Sequence, residues 1–181
     1  ENILSKIERE SSSRIQIKDE EFLEGRGLGY RLVFESDFAK QPLGIRLDFS
    51  MRERPIEPET SVLTVYDYPI NPPPIVTHLS KGEILAEKIR AVFTRNQSRD
   101  LFDLSFLLKR GEKVNWKMVG EKMKYYPEVK YSKEILKEKI ETVKDEDIKK
   151  DLNQFLPENF RSYYSKKLLT EEILNGIANS P

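Results

Sequence analysis

Residues 79–104 read Leu79-Ser80-Lys81-Gly82-Glu83-Ile84-Leu85-Ala86-Glu87-Lys88-Ile89-Arg90-Ala91-Val92-Phe93-Thr94-Arg95-Asn96-Gln97-Ser98-Arg99-Asp100-Leu101-Phe102-Asp103-Leu104. At about 100° per residue, Ile84, Leu85, Ile89 and Val92 fall on one stripe, which predicts a helix over 80–95. A second helix is predicted over 98–109, with Leu101, Leu104, Leu107 and Leu108 as its stripe and Ser98 as its N-cap. Both stripes carry charge. Lys88 lies between Ile84 and Val92, with Arg95 near the same bearing; Asp100 lies between Leu104 and Leu107, with Asp103 at the edge. Glu83, Glu87 and Arg90 fall on the opposite side, where a surface helix is charged in any case. The inward charges have two readings. Lys88 or Arg95 pairs with Asp100 or Asp103 and locks the helices together, although desolvating such pairs is costly; or the charges serve a ligand or a switch.

Downstream the 3.6 period continues, predicting helices at about 115–125, 132–143, 145–155 and 158–176. Trp116 and Met118 read as helix packing. Upstream the pattern changes. Residues 55–74 hold six of the ten prolines, ending in Pro72-Pro73-Pro74, and form a stiff connector, because each proline lacks a donor and helical freedom. His78, the only imidazole, follows this cluster at the start of the first helix and reads as a hydrogen-bonding or capping residue. Ahead of the connector the period is near two, predicting antiparallel strands at 14–18, 28–37, 44–53 and 61–67. Gly25, Gly27, Gly29, Pro42 and Gly44 punctuate them. The chain is therefore expected to be α+β, with an antiparallel or mixed sheet and its connector in 1–75 and a helical bundle in 76–181.

Within the third strand, Arg46, Asp48 and Ser50 share one face while Ile45, Leu47 and Phe49 share the other. An acid two residues from a base suits a metal-bound phosphate, with the carboxylate on Mg²⁺ and the guanidinium on phosphate oxygens. It equally suits a solvated polar face carrying an ion pair.

Composition removes several classes of chemistry. The 181 residues include no Cys and one His, so disulfides, thiolate metal sites, Cys nucleophiles, His-rich zinc sites and His-based triads are set aside. Lys+Arg number 31 against 31 Asp+Glu, which argues against gripping nucleic acid by bulk positive charge. No apolar run reaches the roughly 20 residues of a membrane span, and no signal-peptide pattern opens the chain, so the expected location is cytoplasmic. Abundant Lys, Glu and Ile are compatible with a thermophilic source. The chain enters from Glu1 directly into Asn2-Ile3-Leu4-Ser5-Lys6-Ile7, which reads as the inside of an element, and it is expected to be the later part of a longer protein.

In residues 79–104, Glu83, Lys88, Ala91, Arg95, Arg99, Asp100, Asp103 and Leu104 together resemble the later motifs of the AbiEii/AbiGii toxin family of nucleotidyltransferases. Arg46-Leu47-Asp48 resembles the family's Lys-x-Asp strand, and the likeness covers roughly residues 27–110. The Arg-Asp-x-x-Asp-Leu helix is its most specific part. Two departures accompany it: the family's opening Gly-Ser turn and Asp-x-Asp strand occur nowhere in this sequence, and Arg46 replaces the usual Lys, which changes donor geometry while keeping the charge.

The resemblance implies a nucleotidyltransferase-like fold and transfer of NMP from Mg²⁺·NTP to an RNA hydroxyl, with tRNA as a possible acceptor and a cognate antitoxin as partner. It implies Asp48 as a metal-binding, catalytic carboxylate. Lys88 and Asp100 join it as catalytic residues, and Arg46, Arg95, Arg99 and Asp103 bind nucleotide or phosphate. The competing expectations are a catalytically incomplete fold that binds nucleotide, RNA or a protein partner, and an interaction domain whose inward charges merely pair. Beyond residue 110, Tyr125, Tyr126, Tyr131, Tyr163 and Tyr164 are interleaved with Lys122, Lys124, Lys130, Lys133, Arg161, Lys166 and Lys167. That pattern fits either helix packing or an RNA-facing surface, and the near balance of acid and base over the segment gives the second no net field.

Overall fold

The computed structural model describes residues 3–11, 14–23, 27–35, 40–64, 71–95 and 97–180. It is an α+β chain that divides into two compact units, Glu1–Arg54 and Pro55–Pro181.

The first unit opens with helix α1 (Ile3–Ser11), followed by strands β1 (Arg14–Leu23), β2 (Gly27–Glu35) and β3 (Leu43–Ser50) in an antiparallel sheet of order β1-β2-β3. The alternation that predicted β2 and β3 also sets their register. Leu28 lies opposite Phe49, Tyr30 opposite Leu47 and Leu32 opposite Ile45, so on this face apolar side chains of one strand meet apolar ones across the ladder. Tyr30 and Phe49 meet edge to face at 6.0 Å. Gly27 must be glycine, because a Cβ there would lie 2.2 Å from the Phe49 carbonyl oxygen. β1 extends further than expected, through a register shift between Ile17 and Asp19.

The expected fourth strand belongs elsewhere. Strand β4 (Pro58–Val62) pairs antiparallel with β5 (Ile75–Leu79) in a separate hairpin of the second unit, and the expected residues 65–67 lie outside the described ones. His78 is thus a strand residue. Its Nε2 is 3.0 Å from Ser61 Oγ and its Nδ1 is 2.8 Å from the Leu79 carbonyl oxygen. The sequence pattern changes after residue 75, whereas the compact units divide after Arg54; the difference is this hairpin, which is fastened to the first helix of the bundle.

That helix is α2 (Lys81–Thr94), followed by α3 (Arg99–Lys109), α4 (Trp116–Met123), α5 (Lys133–Thr142), α6 (Asp145–Leu152), α7 (Glu158–Arg161) and α8 (Lys166–Ala178). The expected single helix 158–176 is two helices. Ser165 Oγ accepts from the Leu168 N–H, and the Lys166 N–H donates to Asp145, so a new helix starts there. Conversely, Ser98 precedes α3 but makes no side-chain cap; its N–H donates to Asp151 Oδ2 at 2.9 Å. The core gathers Leu85, Ile89, Leu101, Leu104, Val119, Leu136, Ile140 and Ile173, all essentially inaccessible. Each contributes about 1.5–3 kcal/mol relative to exposure. α3 and α8 approach so closely that a Cβ on Gly176 would lie 2.8 Å from Leu108 Cβ.

Candidate nucleotide site

The inward charges meet where α2 and α3 pack. Asp100, in the first turn of α3, is 0% exposed. It accepts two hydrogen bonds from Arg95, from Nε to Oδ2 at 2.8 Å and from Nη2 to Oδ1 at 2.7 Å. Lys88 Nζ stands 3.4 Å from Asp100 Oδ1 and 2.5 Å from Asp103 Oδ2. Hydrogen bonding to Asp100 raises the Arg95 pKa above the ordinary arginine value, outweighing burial, and the charges of Asp103 and Tyr126 add to the effect. The cluster is graded in exposure. Asp100 is sealed, Lys88 is 27% exposed, and Asp103 and Arg95 are more open still. A buried carboxylate thus aims two cations at a face that solvent reaches.

Arg99 does not join them. It is exposed, and its guanidinium lies 5.8 Å from the centre of the Phe155 ring.

Arg46 and Asp48 belong to the first unit. Arg46 Nε donates to Asp48 Oδ1 at 2.8 Å, and its Nη2 reaches Glu21 at 3.4 Å. Gly29, directly opposite Asp48, leaves room for both side chains, since a Cβ there would stand 3.3 Å from Asp48 Oδ1. Arg46 lines a shallow cavity of about 180 Å³ with Asp19, Glu21, Gly29, Tyr30 and Arg31. The pair is open to solvent and adds little to stability.

The expectation that Glu83, Glu87 and Arg90 form a solvated face is overturned. Glu83 is 0% exposed. Its carboxylate accepts the Ile56 N–H at 2.8 Å and the Glu57 N–H at 2.7 Å, and Lys122 Nζ donates to it at 2.5 Å. Lys122, 2% exposed, also reaches Glu87 at 2.8 Å, and Glu87 in turn binds Arg90 at 2.6 Å. Arg90 lies 5.1 Å from the centre of the Tyr126 ring. The connector covers what a helical wheel shows as the outer side of α2. Lys122 enters the sequence reading only in the aromatic–basic pattern of the bundle; the signal that marks it as buried is its position within the stripe of Met118, Val119 and Met123 on α4, which it interrupts as Lys88 interrupts that of α2.

A family profile described as nucleotidyl transferase AbiEii toxin, type IV toxin–antitoxin system, matches residues 1–167. The chain belongs to the AbiEii family. Comparison with curated proteins and with solved structures gave no match. The AbiEii match spans the sheet, the connector and the bundle as far as the start of α8, and so takes in both the Arg46–Asp48 pair and the Lys88–Arg95–Asp100–Asp103 cluster. Nucleotidyltransferases of this kind generally use divalent metal ions held by carboxylates. Among the described residues no group of three His, Cys, Asp or Glu could hold a metal ion, and Asp48 is paired with a guanidinium. Among the described residues, no helix is long and apolar enough to cross a membrane.

Proposed function

We propose that this chain takes part in nucleotidyl transfer, in which the NMP portion of Mg²⁺·NTP passes to an RNA hydroxyl with release of pyrophosphate. The observation that carries the reading is the graded cluster on α2 and α3: Lys88 and Arg95 are aimed by a buried Asp100 yet remain within reach of solvent. Such preset cations meet phosphate oxygens without the reorganisation that water requires. Lys88 and Arg95 hold the triphosphate. Asp100 orients both, and Asp103 keeps Lys88 in place until the substrate displaces it. The resemblance of Arg46-Leu47-Asp48 to the family's strand supports Arg46 as a phosphate-binding residue and Asp48 as a metal-binding carboxylate of the first unit, each assigned separately from the α2–α3 cluster, and Arg99 serves the acceptor rather than the NTP. A tRNA acceptor end is the proposed RNA, and a cognate antitoxin the proposed protein partner.

Replacing Asp48 by Ala in the whole gene product is expected to abolish transfer of labelled NMP to RNA while leaving the melting temperature within a degree or two, since Asp48 is an exposed residue of the sheet. Unchanged transfer removes Asp48 from the reaction. A second reading, a nucleotide- or RNA-binding module without turnover, is favoured by the pairing of the Asp48 carboxylate with the Arg46 guanidinium. Pyrophosphate release separates the two.

A further inference from the structure

The far end of α3 carries a feature that the transfer chemistry does not use. Phe102, Ser105, Phe106, Lys109, Arg110 and Tyr164 line a cavity of about 220 Å³. That is smaller than the roughly 300–1,000 Å³ of sites that enclose whole small molecules. Phe106 is 47% exposed despite its size. Arg110 lies 4.5 Å from the centre of the Phe106 ring and makes no ion pair among the described residues. Phe102 and Tyr164 meet edge to face at 4.8 Å, and Tyr163 extends the aromatic wall to the surface, 5.0 Å from Tyr164.

The second cation is held differently. Lys109 donates to Glu172 at 2.8 Å, and Ser105 donates to the same carboxylate. Burial pushes Glu172 up, but these two hydrogen bonds outweigh it and keep the carboxyl below the usual range. Glu172 thus stays ionised and neutralises Lys109, which leaves Arg110 as the uncompensated charge of the cleft.

Helical spacing links this cleft to the candidate site. Arg99, Asp103, Phe106 and Arg110 recur at intervals of four, three and four residues, so they lie on one stripe of α3. Asp103 and Arg110 are about 10 Å apart along the axis, at 1.5 Å per residue. Aromatic rings beside an unpaired guanidinium, in a space for one flat ring system, suit a base and its phosphate. An apolar protein side chain would leave the Arg110 charge unanswered.

We propose that the Phe102–Phe106–Tyr164 cleft takes one unpaired base of a single-stranded RNA segment, with Arg110 on the adjoining phosphate. The proposal deepens the reading above, because it rests on the chain acting on RNA, and it assigns the acceptor a single-stranded stretch beside its reactive end.

The test measures binding of a fluorescent 12-nucleotide single-stranded RNA to the whole gene product by anisotropy. Mg²⁺·NTP stabilisation is recorded in parallel. Phe106→Ala and Arg110→Gln are each expected to weaken RNA binding about tenfold, Phe106→Trp to retain it, and all three to leave the NTP-dependent stabilisation unchanged. Equal affinity of Phe106→Ala and the parent overturns the cleft while leaving transfer to RNA standing. Equal affinity for a blunt duplex overturns it too, because paired bases cannot enter. A change in oligomeric state with no change in RNA affinity assigns the patch to a protein contact instead. If the parent protein binds no RNA, the cleft fails together with the RNA acceptor, and the NTP measurement then shows whether the nucleotide site survives.

Discussion

Lys122→Met is expected to destabilise the protein by about 3–5 kcal/mol, because it removes one partner of a buried ion pair and leaves carboxylates behind without it. Glu83 keeps its two backbone donors from Ile56 and Glu57 but loses the ammonium 2.5 Å away. Methionine fills much of the same volume, so the loss reports charge rather than a cavity. The double variant Glu83→Gln/Lys122→Met recovers part of the loss, since the amide oxygen still accepts from the connector and no buried Glu83 charge remains. Urea denaturation measures both. A loss below 1 kcal/mol for Lys122→Met would mean that water reaches the pair in solution. The same pair shapes the pH dependence. Burial pushes Glu83 up, but hydrogen bonds from Lys122, Glu57 and Ile56 outweigh it, so the folded carboxyl titrates below its ordinary value. The unfolded chain then takes up the proton first. This contribution is whole above the unfolded value of about 4.3 and is lost as the pH falls through the lower folded one. Burial pushes Lys122 down, but Glu83 and Glu87 outweigh it and raise it; its contribution is whole below about 10.4 and is lost as the pH rises through the folded value. Stability is therefore expected to be flat through neutrality, with an acid limb that is shallower in the double variant, where Glu172 and Asp145 still contribute.

Lys88→Ala is expected to lower affinity for Mg²⁺·NTP by roughly ten- to a hundredfold, the worth of a hydrogen bond to a charged group, and to remove most of the thermal stabilisation that Mg²⁺·NTP confers. The fold should survive this change. Asp100 keeps both of its hydrogen bonds from Arg95, and Asp103 is already partly open to water. Differential scanning fluorimetry with and without Mg²⁺·NTP separates the two effects. If Lys88→Ala lowers the melting temperature but leaves the NTP-dependent shift unchanged, the inward charges serve only to join α2 and α3.

Where side-chain periodicity and the local chain agree, the elements were legible. β2 and β3 alternate cleanly and pair apolar to apolar, and the stripes of α2 and α3 are the core. The lock between Lys88, Arg95 and Asp100 was legible for the same reason, since charges on an apolar stripe of adjacent helices have few places to go. Elsewhere the information was non-local. β5 is five residues beside a proline run, too short to declare itself without its partner, and β4 was therefore assigned to the wrong sheet. Glu83 faces outward on its own helix and is buried because Ile56 and Glu57 return to it from 27 and 26 residues away and Lys122 from 39. A wheel drawn on one helix cannot show what covers its outer side. The break before α8 has a local mark in the Ser165 cap, but it is completed by Asp145 binding the Lys166 N–H across 21 residues, which no local propensity records. Asp48 and Arg46 stood on one strand face as the alternation required, but what a strand face is for does not follow from alternation.

The most direct measurement supplies the whole gene product with Mg²⁺, each NTP in turn labelled at the α-phosphate, and bulk tRNA, and follows label in RNA together with free pyrophosphate. Nucleotidyl transfer predicts that label enters RNA from at least one NTP with an equal amount of pyrophosphate released, and that Lys88→Ala lowers both. NTP binding with neither labelled RNA nor pyrophosphate would contradict it and leave a member of the AbiEii family that holds nucleotide without transferring it.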